Sequence, residues 1–332
     1  MKAEGAGEPQ PHLEASLRAP VDRSRRWLAK ALPRLRPYLP VLIVVAVVVP
    51  VYDSVAWLEP TVVIAALRAL RPEWLAVAAV LTATNIAVMG LYDVVGFRQT
   101  RATWGRRWFN GAVAFVWSNF LSFGPVAGPS VRFWLYRDSV NELGSLRNGV
   151  ILVSVAFGSG LAGWGLGLGL AAALPEVLRA CAGPVIALAC TMLAAFAVTT
   201  ALTRLRVIQS KVSAGSTLAL AALGWLDWGL AWAVFAACLL AADAGAAIPG
   251  SWRVFLLGQV LGLASLVPGG FGGGDAYWIL HLAGPAPALV CAVLAFRVLY
   301  YVVPWALGSM AVLSTAVAPS HHASLLASDP AR

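Results

Sequence analysis

Four stretches of this chain, Trp74 to Val95, Leu146 to Leu174, Cys181 to Leu202 and Thr217 to Ala242, each run for more than 20 residues with at most one charged side chain. A helix needs about 20 apolar residues to bridge the hydrocarbon core of a bilayer, where each peptide group must find its hydrogen bond inside the segment. Tyr38 to Leu58, interrupted by Pro50, and Pro287 to Ser309 bring the set to six full spans. Only 12% of the 332 residues are charged and 60% are hydrophobic, too greasy for a surface solvated on all sides. The reading is an all-α polytopic membrane protein, which excludes peripheral or single-pass attachment.

Two further apolar pieces are shorter and end in helix breakers. Trp108 to Phe123 runs into Gly124, Pro125, Gly128 and Pro129, and Val254 to Val267 runs into Pro268, Gly269, Gly270 and Gly272. Irregular backbone at membrane depth is tolerated only against protein or a wet cavity, so each break points to a site. Both read as re-entrant broken helices. The unit of span, short helix, break, half-helix and span occurs around residues 74 to 174 and again around 217 to 314. Two such units entering from opposite sides form an inverted repeat, with a substrate site expected where the breaks meet.

Basic side chains orient the spans. Residues 1–36 hold eight Lys and Arg against four acidic residues, and Arg98, Arg101, Arg106 and Arg107 follow the second span. Positive charge of this kind collects on the cytoplasmic side, which places both termini inside a bacterial inner membrane. The formal net charge of +9 is therefore a matter of topology rather than of nucleic acid. The expected organisation is a basic cytoplasmic tail over 1–36, a membrane domain over 37–318 and a short cytoplasmic tail over 319–332. The polar 1–36 segment has no apolar core and is no signal peptide.

Charges inside the apolar segments are the candidates for chemistry, because each costs at least about 2.5–3.5 kcal/mol at the bilayer centre. Asp93 ends the second span, Asp227 lies between Leu226 and Trp228, and Asp275 follows the glycines of the second break. Arg132 follows the first break and Arg297 sits within the last span. A purely structural role, as intramembrane ion pairs or snorkelling side chains, is the competing reading for any one of them. The four Cys lie in apolar segments without metal-ligand spacing, and only His281 of the four His falls outside the polar tails, so no cofactor or metal is expected. The 14 Trp and 7 Tyr fall mostly near predicted span ends, where aromatic belts are expected, and are assigned no chemistry.

The stretches Tyr92-Asp93, Ser118-Asn119-Phe120-Leu121-Ser122-Phe123-Gly124 and Gly128-Pro129-Ser130-Val131-Arg132-Phe133-Trp134-Leu135-Tyr136 resemble the first half of the membrane domain of the multiple peptide resistance factor family, lysylphosphatidylglycerol synthases and flippases. Ser265-Leu266-Val267-Pro268-Gly269-Gly270-Phe271-Gly272 with Asp275, and Arg297-Val298-Leu299-Tyr300-Tyr301, are similar to its second half. The resemblance covers about residues 38–318. It departs in the first break, which is not a Gly-Gly run, in Asp rather than Glu at 227, and in ending at Arg332 without the cytoplasmic aminoacyltransferase domain.

The resemblance implies a transporter, not an enzyme. It would carry lysyl- or alanyl-type aminoacyl-phosphatidylglycerol from the inner to the outer leaflet, lowering surface negative charge and giving resistance to cationic antimicrobial peptides. A separate aminoacyl-tRNA-dependent lipid aminoacyltransferase is the implied partner, and a homo-oligomer is compatible with it. Chemically, Asp93, Asp227 and Asp275 would attract the amine, while Arg132 and Arg297 would hold the phosphate. The alternatives are a transporter of another lipid or lipid-linked amphiphile, a membrane scaffold for a separately encoded lipid-modifying enzyme, and a membrane-embedded enzyme using the Asp set.

Overall fold

The computed structural model describes residues 60–317, apart from 122–123, 138, 140–142, 210–211, 249 and 266–271. The expected first span, both terminal tails and the breakers Pro268, Gly269 and Gly270 lie outside the described residues. Within them the chain is helical, without strands: α1 (Pro60–Arg68), α2 (Pro72–Gly96), α3 (Trp104–Leu121), α4 (Gly124–Tyr136), α5 (Leu143–Ala171) and α6 (Glu176–Arg204). Then follow α7 (Ala214–Ala241), α8 (Ser251–Ser265), α9 (Gly273–His281), α10 (Ala286–Arg297) and, after a π-helical turn at Val298–Val302, α11 (Val303–Val317). Five helices are long and apolar enough to cross a bilayer: α2, α5, α6, α7 and the continuous rod from Ala286 to Leu313. The chain is an all-α polytopic membrane protein.

Helix starts follow local chemistry. Pro72 opens α2 after an extended Arg71, a position where the missing proline N–H costs nothing. Ser213 caps α7 by accepting from the Ser216 N–H at 3.1 Å. Gly272 precedes α9 at φ 94° and ψ −83°, a backbone that side chains with a Cβ rarely adopt.

Among the described helices, α2 and α7 form a closely packed antiparallel pair. The Arg71 N–H, at the start of α2, donates to the Ala241 carbonyl at the end of α7 at 2.9 Å. Midway along, Asn85 Nδ2 donates to the Asp227 carbonyl at 3.0 Å and to its carboxylate at 2.9 Å. Asn85 and Asp227 are each the fourteenth residue of their helix, so they are counterparts in the two repeats. Each of these helices is followed by a helical hairpin, α3 with α4 and α8 with α9, and then by a long span. The packing exchanges accordingly: α11 lies on the first hairpin, and α8 of the second lies on α5. An antiparallel α2 and α7 leading two units of the same order makes the repeat an inverted one.

Small residues bring these helices close, as they do where lipid tails supply no net drive for association. A Cβ on Gly224 of α7 would run into the Ala156 carbonyl of α5, and one on Gly163 or Gly167 into Thr191 or Ala187 of α6. Tryptophan uses the same geometry. Trp108, Trp228 and Trp278 donate their indole N–H to the carbonyls of Ala87, Phe157 and Phe255 at 3.0, 3.0 and 3.2 Å. In each case a glycine three residues further on, Gly90, Gly160 or Gly258, leaves room for the ring.

Part of the Trp and Tyr set departs from the aromatic belts expected near span ends. Trp164, Trp228, Trp278, Tyr92, Tyr136, Tyr300 and Tyr301 are buried in the protein. A buried indole or phenol needs a hydrogen-bond partner, and helix carbonyls and intramembrane polar groups supply it.

Candidate functional site

The breaker residues Gly124, Pro125, Gly128 and Pro129 all fall within a helix. α4 starts at Gly124, with Pro125 in its first turn, where a missing N–H is tolerated. Gly128 and Pro129 lie inside the helix. Gly128 acts instead as a close-approach residue, since a Cβ there would meet Ser118 Oγ at 2.8 Å and Arg132 Nη1 at 3.3 Å.

From α4, Arg132 reaches back to Asp93 at the end of α2. Its Nε donates to both carboxylate oxygens, at 2.9 and 3.2 Å, and the Tyr136 hydroxyl donates to Oδ2 at 3.2 Å. Asp93 is fully buried and Arg132 is 4% exposed. The guanidinium lies 4.7 Å from the centre of the Phe115 ring. Its Nη2 is buried and has no hydrogen-bond partner among the described residues.

The second break carries a pair of opposite arrangement. Asp275, in the first turn of α9, accepts from the Gly272 N–H at 3.1 Å and from Arg297 Nε and Nη2 at 2.8 and 2.7 Å. Arg297, the last residue of α10, is held between the Trp278 and Tyr301 rings at 4.9 and 4.8 Å from their centres. A carboxylate at a helix N-terminus is favoured by the helix dipole, so Asp275 caps α9 and ties it to the last span. Arg297 pairs with Asp275 rather than with Asp227, the other carboxylate within its sequence-level reach.

Asp227 is 2% exposed and has no basic side chain within salt-bridge distance among the described residues. Its donors are neutral: Asn85, and the Tyr92 hydroxyl at 3.1 Å. Tyr300, in the π turn, donates to Asn85 Oδ1 at 2.9 Å and completes the network. π turns often mark functional positions, and this one aims Tyr300 at the centre of the α2 and α7 pair.

These groups surround a cavity of about 620 Å³. Both hairpins contribute to its wall, with Ser118 and Arg132 from the first and Gln259 and Gly262 from the second; α7 adds Asp227, and the π turn adds Tyr300 and Tyr301. Of the five charged residues singled out in the sequence, Arg132 and Asp227 border the cavity. Asp93 stands behind Arg132, and the Asp275–Arg297 pair stands behind Tyr301. Among the described residues no three His, Cys, Asp or Glu converge as metal ligands. His281 Nδ1 donates to the Tyr277 carbonyl of its own helix at 2.9 Å, and the ring stacks on Tyr277.

Sequence reading singled out neither Asn85 nor Gln259, and it gave no role to Tyr92, Tyr136, Tyr300 and Tyr301, although these lie in the stretches that carry the family resemblance. Asn85 was detectable as an amide in the middle of a span, and Tyr92 as the neighbour of an intramembrane Asp. The others become conspicuous only once the helices are packed.

No family model matches the chain. Over 235 residues, 67% of its length, the chain is 27% identical to phosphatidylglycerol lysyltransferase of Bacillus subtilis (strain 168), and it spans 27% of that protein's length.

Proposed function

We propose that this chain moves a phospholipid with a cationic headgroup, an aminoacylated phosphatidylglycerol of lysyl or alanyl type, between the leaflets of the bacterial cell membrane. The observation that carries the proposal is the cavity wall, where a guanidinium and a buried carboxylate with no basic partner among the described residues both face the same space. The Arg132 guanidinium suits a phosphate oxygen, and Asp227 suits an ammonium group. Asp93 would hold Arg132 in place, while Asp275 and Arg297 would fix the second hairpin against the last span. Similarity to an enzyme named for lysyl transfer to phosphatidylglycerol supports the lipid class. Export of such a lipid would lower the negative charge of the outer surface. An aminoacyltransferase would supply it.

Movement would follow alternating access, one repeat rocking against the other about the α2 and α7 pair while acyl chains stay in lipid. The test is transbilayer movement of fluorescent aminoacyl-phosphatidylglycerol in liposomes containing the purified chain. Asp227→Asn and Arg132→Lys should each slow it by about 100-fold, the scale of removing one partner from a buried charge contact. Movement no faster than in protein-free liposomes, or indifferent to both variants, would refute the proposal.

A further inference from the structure

Asp227 differs from Asp93 and Asp275 in what holds it. Those two each accept from an arginine, at 2.9 and 2.7 Å. Asp227, the fourteenth of the 28 residues of α7, is 2% exposed and has no basic side chain within salt-bridge distance among the described residues. Asn85 Nδ2 donates to its Oδ1 at 2.9 Å and the Tyr92 hydroxyl to its Oδ2 at 3.1 Å.

The neighbours of this carboxylate are neutral or already paired. Tyr92, Tyr300 and Tyr301 are phenols, uncharged around pH 7, as are the Cys thiols of α6, α7 and α10. Arg132, on the same cavity wall, is paired with Asp93, and Arg297 of α10 with Asp275. The other charged residues on helices packed against α7 lie near helix ends: Glu73, Arg147, Glu176, Arg179, Arg204 and Arg253.

A carboxylate charge in the middle of a bilayer is costly, and neutral donors offset it only in part. A cation beside it or a proton on it removes the cost. Asn85 decides which oxygen takes the proton. Its Oδ1 accepts from the Tyr300 hydroxyl at 2.9 Å, which holds the amide with Nδ2 toward Asp227 and keeps Asp227 Oδ1 an acceptor. That leaves Oδ2, against Tyr92. A hydroxyl both donates and accepts at one oxygen, so the same 3.1 Å contact serves a carboxylate, with Tyr92 donating, and a carboxylic acid, with Tyr92 accepting. No heavy atom has to move. Asp227 borders the cavity, so a proton and a headgroup reach it through the same space.

We propose that Asp227 is a proton site as well as an ammonium site, and that the two cations alternate on it during transport. The Oδ2 proton passes to water on the side where a cationic headgroup enters, and a proton from water replaces the headgroup on the side where it leaves. No other bond changes. Lipid export is thereby exchanged for protons moving inward. The inference rests on reading the cavity as a lipid-headgroup site and adds what drives it.

The experiment reconstitutes the full chain in liposomes with a trapped pH dye and fluorescent lysyl- or alanyl-phosphatidylglycerol in one leaflet. Acid on the arrival side should speed lipid movement and acid on the departure side should slow it, by up to about tenfold per unit of pH, the most that one proton site can give. The dye should report protons moving opposite to the lipid. Infrared difference spectra between acid and alkaline pH, taken without lipid, should show the C=O stretch of a protonated carboxyl that is lost in folded Asp227→Asn and displaced in Tyr92→Phe. A band that survives in Asp227→Asn or stays in place in Tyr92→Phe overturns the proton site. Lipid that moves equally fast under either gradient, with no dye response, overturns the exchange and leaves the transporter standing. Movement of neither lipid, with the Asp227 band present, refutes the transporter and the exchange together and leaves only the proton site.

Discussion

The two hairpins carry the same pair of charges the opposite way round. In the first, the half-helix supplies the cation, Arg132, and the preceding span supplies the anion, Asp93; in the second, the half-helix supplies Asp275 and the following span supplies Arg297. Their surroundings differ as well. Arg132 lies against the Phe115 ring, lines the cavity and has a buried Nη2 with no hydrogen-bond partner among the described residues, whereas Arg297 is held between the Trp278 and Tyr301 rings and is not among the described residues that line the cavity. An ion pair set back from a cavity fixes a helix in place. One that borders it can fix a helix and also meet a ligand.

The largest expected effects test that distinction. Removing one partner of a buried pair strands the other charge and costs about 3–5 kcal/mol, so Asp275→Ala and Asp93→Ala should both unfold more readily in detergent. Replacing a whole pair by apolar residues of similar size is often neutral. Asp275→Leu with Arg297→Met should therefore recover thermal stability and retain most lipid movement. Asp93→Leu with Arg132→Met should recover stability and lose movement by about 100-fold, because the phosphate contact goes with the pair. Equal loss of movement in both double variants would show that the second pair also acts on the lipid.

Exchanging the charges separates the pair from its position. In Asp93→Arg with Arg132→Asp the ion pair is restored, but the guanidinium now projects from α2, behind the cavity wall. Unfolding temperature should return toward wild type, while movement falls by about tenfold or more for want of the phosphate donor. The same exchange at Asp275 and Arg297 puts a cation at the N-terminus of α9, against the helix dipole, and should cost about 1 kcal/mol more than the first exchange.

The sequence made the charged members of both pairs legible, because an Asp or Arg within an apolar stretch is expensive and conspicuous. Partner choice was not legible. Arg132 and Asp93 are 39 residues apart and meet only because α4 folds back beside α2. Without that contact Asp93 looks like an ordinary solvated carboxylate at a span end. The element order was readable for a similar reason, since hydropathy marks spans and Gly or Pro marks their ends. Gly128 and Pro129 misled, because a Gly-Pro step reads alike whether it stops a helix or lets two helices touch. The tyrosines were hidden by their chemistry: a phenol suits an interface and an interior equally well until its hydrogen-bond partner is known.

A more modest perturbation reaches the closed pair from behind. A Cβ at Gly258 would overlap the Trp278 indole, which forms one wall of the Arg297 sandwich. Overpacking of this kind costs about 1–3 kcal/mol, so Gly258→Ala should lower the unfolding temperature and leave movement nearly unchanged. Gly273→Ala meets nothing within 4 Å and is the matched control near the same hairpin.

The smallest effect is expected where the two regions touch. Tyr301 stacks on Arg297 with one face, borders the cavity and accepts a hydrogen bond from Gln259 Nε2 at 3.2 Å. Tyr301→Phe keeps the ring, and with it the contact to the guanidinium, and removes only the hydroxyl. The loss should be about 1 kcal/mol of stability, the net worth of one neutral hydrogen bond, with less than a tenfold change in lipid movement. If movement collapses while the protein stays folded, the Gln259 and Tyr301 contact transmits the position of the second hairpin to the cavity. The closed pair would then be part of the transport machinery rather than its anchor.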